Sequence, residues 1–381
     1  MKLAVPTETR PGEQRVAVIP DVAGRLAGSG VEVVVQVGAG VLAHFPDAAY
    51  LDKGATLRSG AGEALSGAQL VAKVQAPTPQ EVELAAPGIT VVSFFQPAAQ
   101  LDTVRALVQR KATAFSLDLV PRISRAQSMD ALSSQATVSG YLSTLAAAER
   151  LPKFFPMFMT AAGTIPPAKV LVLGAGAAGL QAIATARRLG AQVRAYDVRA
   201  AAKEEVQSLG ANFVELELES QEGSGGYARV QSEEFLARQR ELISNEVAAA
   251  DVVITTAAVP GRQAPVLVTT AMVERMVEGS VIVDMAADSG GNCELSEPGQ
   301  DLVHHGVVVC GLSNPPSAMP THASFLFSRN VANFLALIVI DGELRPDFDD
   351  EIVAGSCVVR EGEVVHAPTA ELLNAPKEPA S

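Results

Sequence analysis

No stretch of this sequence approaches the ~18 consecutive apolar residues that cross a bilayer. The best candidate, Val331 to Ile340, is short and is interrupted by Asn333. The amino terminus, Met1-Lys2-Leu3-Ala4-Val5-Pro6-Thr7-Glu8, reads as a brief strand followed by charge, without the longer apolar stretch of a secretory signal. Both absences predict a cytoplasmic chain with no direct membrane insertion. Cysteine is scarce: Cys293, Cys310 and Cys357 lie far apart without metal-ligand spacing and read as buried free thiols of a reducing compartment. His44, His304, His305, His322 and His366 are scattered as well, so no zinc or iron site is expected. Positive charge is also in deficit. A formal net charge of -13 argues against nucleic acid or an anionic membrane as the main partner and reads as a well-solvated surface.

What remains is ordinary globular material. The 381 residues are 48% hydrophobic and 19% charged, enough for two domains with a core each. Short β-rich runs alternate with helical stretches, the pattern of parallel α/β layers. Near the amino terminus, strands are predicted at Lys2 to Pro6, Val31 to Val37, Leu70 to Val74, Ile89 to Phe94 and Ala114 to Ser116, with helices at Asp21 to Gly28 and Asp47 to Gly54. No glycine-rich loop follows the first strand. Ser133 to Arg150 is helix-compatible, and Phe154 to Thr160 leads to Gly163 and the Pro166-Pro167 pair, which stops a helix before the next strand. A second series of strands reads as Val170 to Leu173, Val193 to Tyr196, Val252 to Thr255, Val281 to Asp284 and Val307 to Cys310. A helix around Ser324 to Ile340 would return the chain to the first domain, with Ile352 to Val359 and Glu363 to His366 as final strands. The expected fold class is α/β: two Rossmann-like domains with parallel sheets, the second inserted in the first. Residues 1–130 and 320–381 would form the discontinuous N-terminal domain and residues 131–319 the nucleotide domain.

One motif stands in the context that gives it meaning. The strand Lys169 to Leu173 runs into Gly174-Ala175-Gly176-Ala177-Ala178-Gly179, a helix follows from Leu180 to Leu189, and the next strand ends at Asp197. Gly174 would permit the tight turn, Gly176 would let the backbone approach a pyrophosphate, and Gly179 would let helix and strand pack closely. The helix N-terminus and its amides suit the phosphates. Asp197, about 18 residues past Gly179, would accept hydrogen bonds from the ribose hydroxyls and repel a 2′-phosphate, so NAD is expected over NADP. Val198 and Arg199 follow it, and Arg199 would soften that preference. Ala257-Ala258-Val259-Pro260-Gly261, after Val252 to Thr255, stands where such a fold brings loops beside the cofactor. Ala258 reads either as a ribose contact or as a residue of a tight strand-to-helix turn.

Arg122-Ile123-Ser124-Arg125-Ala126-Gln127-Ser128-Met129-Asp130-Ala131-Leu132-Ser133-Ser134-Gln135 is, by itself, compatible with a polar helix start, in which Ser128 and Asp130 cap and Arg122 and Arg125 are solvated charges. The same stretch resembles the nicotinamide-contacting signature of the NAD(H)-binding domain of proton-translocating NAD(P) transhydrogenase. The resemblance continues through Thr160 to Ala168, the glycine loop, Gly225-Gly226-Tyr227-Ala228, Asp284-Met285-Ala286-Ala287 and Gly290-Gly291-Asn292, and so covers essentially the whole chain. It implies direct hydride transfer from NADH held here to NADP held by a partner domain, coupled to proton movement through a membrane domain. Such a transfer needs the two reacting carbons ~3–3.5 Å apart and water excluded, but no general acid or base. Carried over by position, Arg122, Gln127, Asp130 and Ser133 would hold the nicotinamide, its ribose and the nearby phosphate, within a contact loop that includes Ile123, Ser124, Ser128 and Met129. Arg122 and Asp130 would pair. The segment around Gly226 and Tyr227 resembles a mobile loop closing over nucleotide, with Gln239 in the helix after it; its composition alone reads as a flexible surface loop.

Alanine dehydrogenase shares this architecture and resembles the N-terminal segment almost as well. Its carboxylate-binding arginine and lysine match Arg15 and Lys73, but its acid/base histidine is Gln96 here. Oxidising an amine to an imine and hydrolysing it needs a proton acceptor at that place, so the substitution is expected to cripple that reaction. Arg15 and Lys73 then read as inherited structural charges. Two mild departures point the other way: Asp288, where transhydrogenases often carry Glu, and Ala258, in place of a larger aliphatic residue. A catalytically silent NAD-binding subunit is a third reading. The transhydrogenase resemblance implies a homodimer, membrane-embedded and NADP-binding partner subunits, and a place at the cytoplasmic side of the inner membrane, as the separate NAD-binding subunit of a split enzyme.

Overall fold

The computed structural model describes residues 1–215, 233–258 and 263–374. The chain divides into two compact units, Met1–Gln135 with the chain from Pro316 onward, and Ala136–Pro315. The elements of each follow from runs of Val, Ile and Leu punctuated by Gly and Pro.

In the first unit, strands β1 (Lys2–Val5), β2 (Glu32–Gln36), β3 (Thr56–Arg58), β4 (Leu70–Ala72), β5 (Thr90–Ser93) and β6 (Thr113–Ser116) pair in parallel in the order β6-β5-β4-β1-β2-β3. That order reverses direction beside β1, the signature of a doubly wound sheet. In the second unit, β7 (Phe158–Thr160) and β8 (Gly163–Ile165) form an exposed hairpin. Strands β9 (Lys169–Leu173), β10 (Gln192–Tyr196), β11 (Asn212–Phe213), β12 (Val252–Thr255), β13 (Val281–Asp284), β14 (Asp301–His304) and β15 (Val307–Gly311) form a sheet in the order β11-β10-β9-β12-β13-β15-β14. Its central strands are buried on both faces, as parallel strands flanked by helices must be.

The helix Pro320–Ile338 then sends Phe327, Val331, Phe334, Leu335 and Ile338 into the first unit's core, where Phe334 meets Phe115 at 5.3 Å and Phe327 meets Phe94 at 5.1 Å. β16 (Val339–Ile340) and β17 (Glu343–Leu344) form a short hairpin. β18 (Cys357–Arg360) and β19 (Glu363–Val364) finally join the first sheet beside β6.

Three expectations are corrected. The sheets are mixed at their edges: β18, β19 and β14 run antiparallel. The reason lies in hairpin turns at His305-Gly306 and Glu361-Gly362, whose paired positive φ values (52° and 74°, 49° and 86°) match the twist of adjacent strands. Ile352 to Val359 is not one strand. The Asp350 carboxylate accepts from the Ile352 amide at 2.8 Å and starts a helix, Glu351–Ser356, before the strand begins at Cys357. The segment after Phe154 forms the β7–β8 hairpin in addition to the expected stop.

The helix Ala131–Arg150 carries Gly140 at a contact that allows no side chain: a Cβ there would stand 2.0 Å from the Ala178 carbonyl oxygen. Alanine is the better helix former by about 1 kcal/mol, yet Gly140→Ala is expected to destabilise the second unit by about 2 kcal/mol or more through overpacking. Thermal melts measure this, and an unchanged or raised melting temperature would contradict the contact.

Candidate functional site

In the second unit, β9 ends in Gly174, whose φ of +100° only glycine adopts without strain. The chain then turns through Ala175 and Gly176 into the helix Ala177–Arg188. Gly179 sits so close to the strand end that a Cβ would lie 1.9 Å from the Gly174 carbonyl oxygen. Gly176 differs from both. Its backbone is ordinary, and a Cβ there would meet nothing within 4 Å. The chain therefore places no steric demand on glycine at 176; a group approaching from outside would. The first turn of the helix holds no acidic side chain, so its positive end is left uncompensated toward that space. The loop fits a dinucleotide pyrophosphate.

Asp197 stands at the end of β10. Its carboxylate accepts from the Ala175 amide at 2.7 Å and from the Arg199 amide at 2.8 Å. The Arg199 guanidinium reaches it with Nε and Nη2 at 3.0 Å each. Burial pushes this carboxyl up, but the Arg199 and Ala175 donors outweigh it and hold the pKa below the usual range. Arg199 thus folds onto the acid, leaving Asp197 ionised and tied to the glycine loop. Val198 between them is exposed. Gln239 donates to the Tyr196 hydroxyl beside Asp197. Gly226 and Tyr227, with Val259 to Gly261, lie outside the described residues.

Sequence reasoning missed how the neighbouring loop is held. Ala258 is exposed just past β12, and Asn292 clamps the residue before it. Its Oδ1 accepts from the Ala257 amide at 3.0 Å, and its Nδ2 donates to the Ala257 and Pro265 carbonyls at 2.8 Å. Asn292 is set in turn by Asp284, fully buried at the end of β13. That carboxylate accepts from the amides of Ala286, Asn292 and Cys293 and from the hydroxyls of Thr255 and Ser296. The signal available was the motif itself, an acid ending an apolar strand with Gly-Gly-Asn to follow. Asp288 accepts from Ser313 Oγ at 2.8 Å and the Asn314 amide at 2.7 Å, a role that Asp fills within the unit.

The first unit carries the signature segment. Arg122, Ser124, Gln127 and Ser128 are exposed, Ile123, Asp130 and Ser133 half-buried, and Met129 buried. The expected Arg122–Asp130 pair is not formed. Asp130 instead caps the helix Ala131–Arg150, accepting from the Ser133 amide at 2.8 Å and Ser133 Oγ at 2.6 Å, because a carboxylate at that position satisfies an otherwise orphaned helix amide. Arg122 remains unpaired among the described residues, whereas Arg125 pairs with Asp350 at 2.6 Å.

Arg15 and Lys73 are both buried. Arg15 grips Glu13 with two donors at 2.7 Å and reaches Gln135 at 2.8 Å. Lys73 lies between Glu81 at 2.9 Å and Glu8 at 3.5 Å. Burial pushes the Glu8 carboxyl up; burial acts on Glu13 too, but the Arg15 fork outweighs it and lowers the pKa to about 2. Gln96 lines a cavity of about 150 Å³ with Thr9, Arg10, Gln75, Phe94 and Gln100. It adopts a left-handed φ of 45°, its amide donating to Asp118 at 2.9 Å.

A doubly wound unit with this loop, this acid and this helix terminus defines a dinucleotide-binding α/β protein of the dehydrogenase class. The family profile described as alanine dehydrogenase/PNT, N-terminal domain, matches residues 4–139, and that described as alanine dehydrogenase/PNT, C-terminal domain, matches residues 143–367. The chain belongs to the alanine dehydrogenase/PNT family. It is 42% identical over 382 residues to NAD(P) transhydrogenase subunit alpha of Haemophilus influenzae, covering 99% of this chain and 74% of that one. In Rhodospirillum rubrum the matching chain is the first portion of a divided NAD(P) transhydrogenase subunit alpha, 48% identical over 377 residues and covering 96% of this chain and 98% of that one. The solved transhydrogenase from Sinorhizobium meliloti superposes with a TM-score of 0.88 at 40% identity, covering 96% of this chain and 100% of that one. The alanine dehydrogenase of Halomonas elongata is more distant, 29% identical over 97% of this chain and 96% of its own length.

Two outcomes follow. Gly176→Ala is expected to leave the melting temperature nearly unchanged while weakening NADH binding about tenfold, about 1.4 kcal/mol; a fluorescence titration showing wild-type affinity would remove the phosphate-loop assignment. Glu13, with its folded pKa depressed, stabilises above pH 4.5, and that contribution is lost as the pH falls toward about 2. Glu13→Gln is therefore expected to cost about 3 kcal/mol at neutral pH, a gap that urea melts show narrowing over that window. A gap independent of pH would refute the Arg15 attribution.

Proposed function

We propose that this chain is the NAD(H)-binding subunit of a proton-translocating NAD(P) transhydrogenase. NAD(H) would be held by Gly174 to Gly179, Asp197, Val198 and Arg199, with Arg122, Gln127, Asp130 and Ser133 orienting its reactive end. Tyr227, Gly226, Gln239 and Ala258 complete the proposed set. When bound, the cofactor supplies the hydride; the chain's residues bind it, orient it and exclude water. NADP would sit on a partner domain, and membrane subunits would carry the proton coupling. The second unit is then the NAD(H)-binding domain.

The observation that carries this reading over amino-acid oxidation is Gln96. An amide in place of an imidazole takes up no proton in the physiological range, and hydride transfer between two nicotinamides requires none. The ion pairs of Arg15 with Glu13 and of Lys73 with Glu81 support it, since neither cation is left free for a substrate carboxylate. No described helix is long and apolar enough to cross a membrane, which suits a subunit that reaches the membrane through partners. A homodimer belongs to the proposal; the exposed Phe154, Met157, Phe158, Met159 and Ile165 around the β7–β8 hairpin supply an apolar surface for it.

Two assays on the purified chain test the reading. One follows NAD reduction with L-alanine. The other follows hydride transfer from NADH to an NADP analogue after addition of a transhydrogenase NADP-binding domain. Transfer only in the second is expected. Alanine-dependent reduction would make Arg15 and Lys73 a substrate site, and NADH binding without turnover in either assay would identify a silent subunit.

A further inference from the structure

The signature segment Ser124–Met129 is a short 3-10 turn on the surface of the first unit, yet it is held from two sides. Beneath it, Ala126 and Met129 enter the apolar core beside the helix Pro320–Ile338. Above that anchor, two asparagines of the same helix converge on one backbone atom. Asn330 Nδ2 donates to the Ser128 carbonyl at 2.9 Å and Asn333 Nδ2 donates to it at 3.0 Å. Positions three apart share a helix face, so a single rigid element supplies both donors. The Asn330 amide is itself oriented: Oδ1 accepts from Ser134 Oγ at 2.7 Å, which turns Nδ2 toward Ser128.

Ser128 lies between Gln127 and Asp130, whose side chains the proposed function places at the reactive end of the cofactor. Asp130 is fixed through its cap on Ser133. Exposed Gln127 has no comparable anchor of its own, so its direction follows from the peptide next to it. Saturating both lone pairs of the Ser128 carbonyl removes the freedom of that peptide to rotate. Asn333 is also the residue that interrupts the apolar run of its helix, at a place where Leu or Ala would serve packing equally well.

We propose that Asn330 and Asn333 are positioning residues for hydride transfer, acting through the Ser128 carbonyl on the loop that carries Gln127 and Asp130. This rests on the transhydrogenase reading. Neither residue needs to touch nucleotide. Their removal affects the rate of transfer more than the affinity for NADH, because affinity draws on the glycine loop and Asp197 as well.

The test uses the full chain with an added transhydrogenase NADP-binding domain and an NADP analogue. Four variants are compared: Asn333→Asp, which keeps the shape but replaces the donor with a carboxylate; Asn333→Gln, which keeps the donor; Asn330→Ala; and the double alanine variant. Single-turnover transfer, NADH affinity by fluorescence and melting temperature are read on each. Asn333→Asp and Asn330→Ala are expected to slow transfer about tenfold with NADH affinity within about threefold of wild type. Asn333→Gln should recover most of the lost rate. Wild-type transfer in Asn333→Asp would overturn the inference, as would rate, affinity and melting temperature falling in proportion. If the double variant does not fold, half-buried Asn333 decides the matter through its two single variants. Absence of transfer in the unaltered chain would instead sink the underlying transhydrogenase reading, and the inference with it.

Discussion

The second unit depends on one close approach. The helix Ala177–Arg188 comes so near the end of β9 that Gly179 has no room for a methyl group against the Gly174 carbonyl oxygen. Gly140 repeats the constraint on the other side, where the helix Ala131–Arg150 meets the carbonyl of Ala178. The first turn of one helix is thus wedged between a strand end and a second helix, and its backbone is held without any side chain intervening. Thr256 Oγ1 adds a hydrogen bond to the Gly174 carbonyl at 3.1 Å. A phosphate site made of amides is only as precise as the backbone that carries it, and here contact distances enforce that precision.

A buried carboxylate plays the corresponding role at the next strand. Asp284 gathers the amides that follow it and, through Asn292, fixes the turn after β12. An ionised group in such a place is tolerable only because its lone pairs are filled by donors. The first unit solves a similar problem with cations. Arg15 and Lys73 are buried, which is costly, and each is matched by glutamates within the same unit. Buried pairs of this kind specify one arrangement more than they add stability.

The family contains both transhydrogenases and alanine dehydrogenases, and the shared architecture does not separate them. The separation rests on a few side chains. Gln96 offers no acid/base function in the cavity beside β5, while Arg122 and Gln127 stay exposed on a loop whose backbone is tied to the helix Pro320–Ile338. Asp288 and Ala258, the residues that pointed the other way, change little: one accepts hydrogen bonds within its own unit, the other is an exposed turn residue.

Local patterns made much of this legible. Apolar runs bounded by glycine marked the central strands, and strand, glycine loop, helix and acid together marked the dinucleotide site, since each of these signals acts within a few residues along the chain. Gln96 was readable for the same reason: a side chain carries its chemistry wherever it lies. The pairing of distant residues was not readable. Asp130 caps Ser133 and does not pair with Arg122, Arg199 folds back on Asp197, Asp350 turns an expected strand into a helix, and Gly140 owes its identity to a carbonyl far along the chain. The sequence by itself determined the α/β class, the loop and its acid. The tertiary structure alone decided which polar groups satisfy one another, because burial makes every unpaired donor or charge costly and only the folded packing determines which partners are within reach.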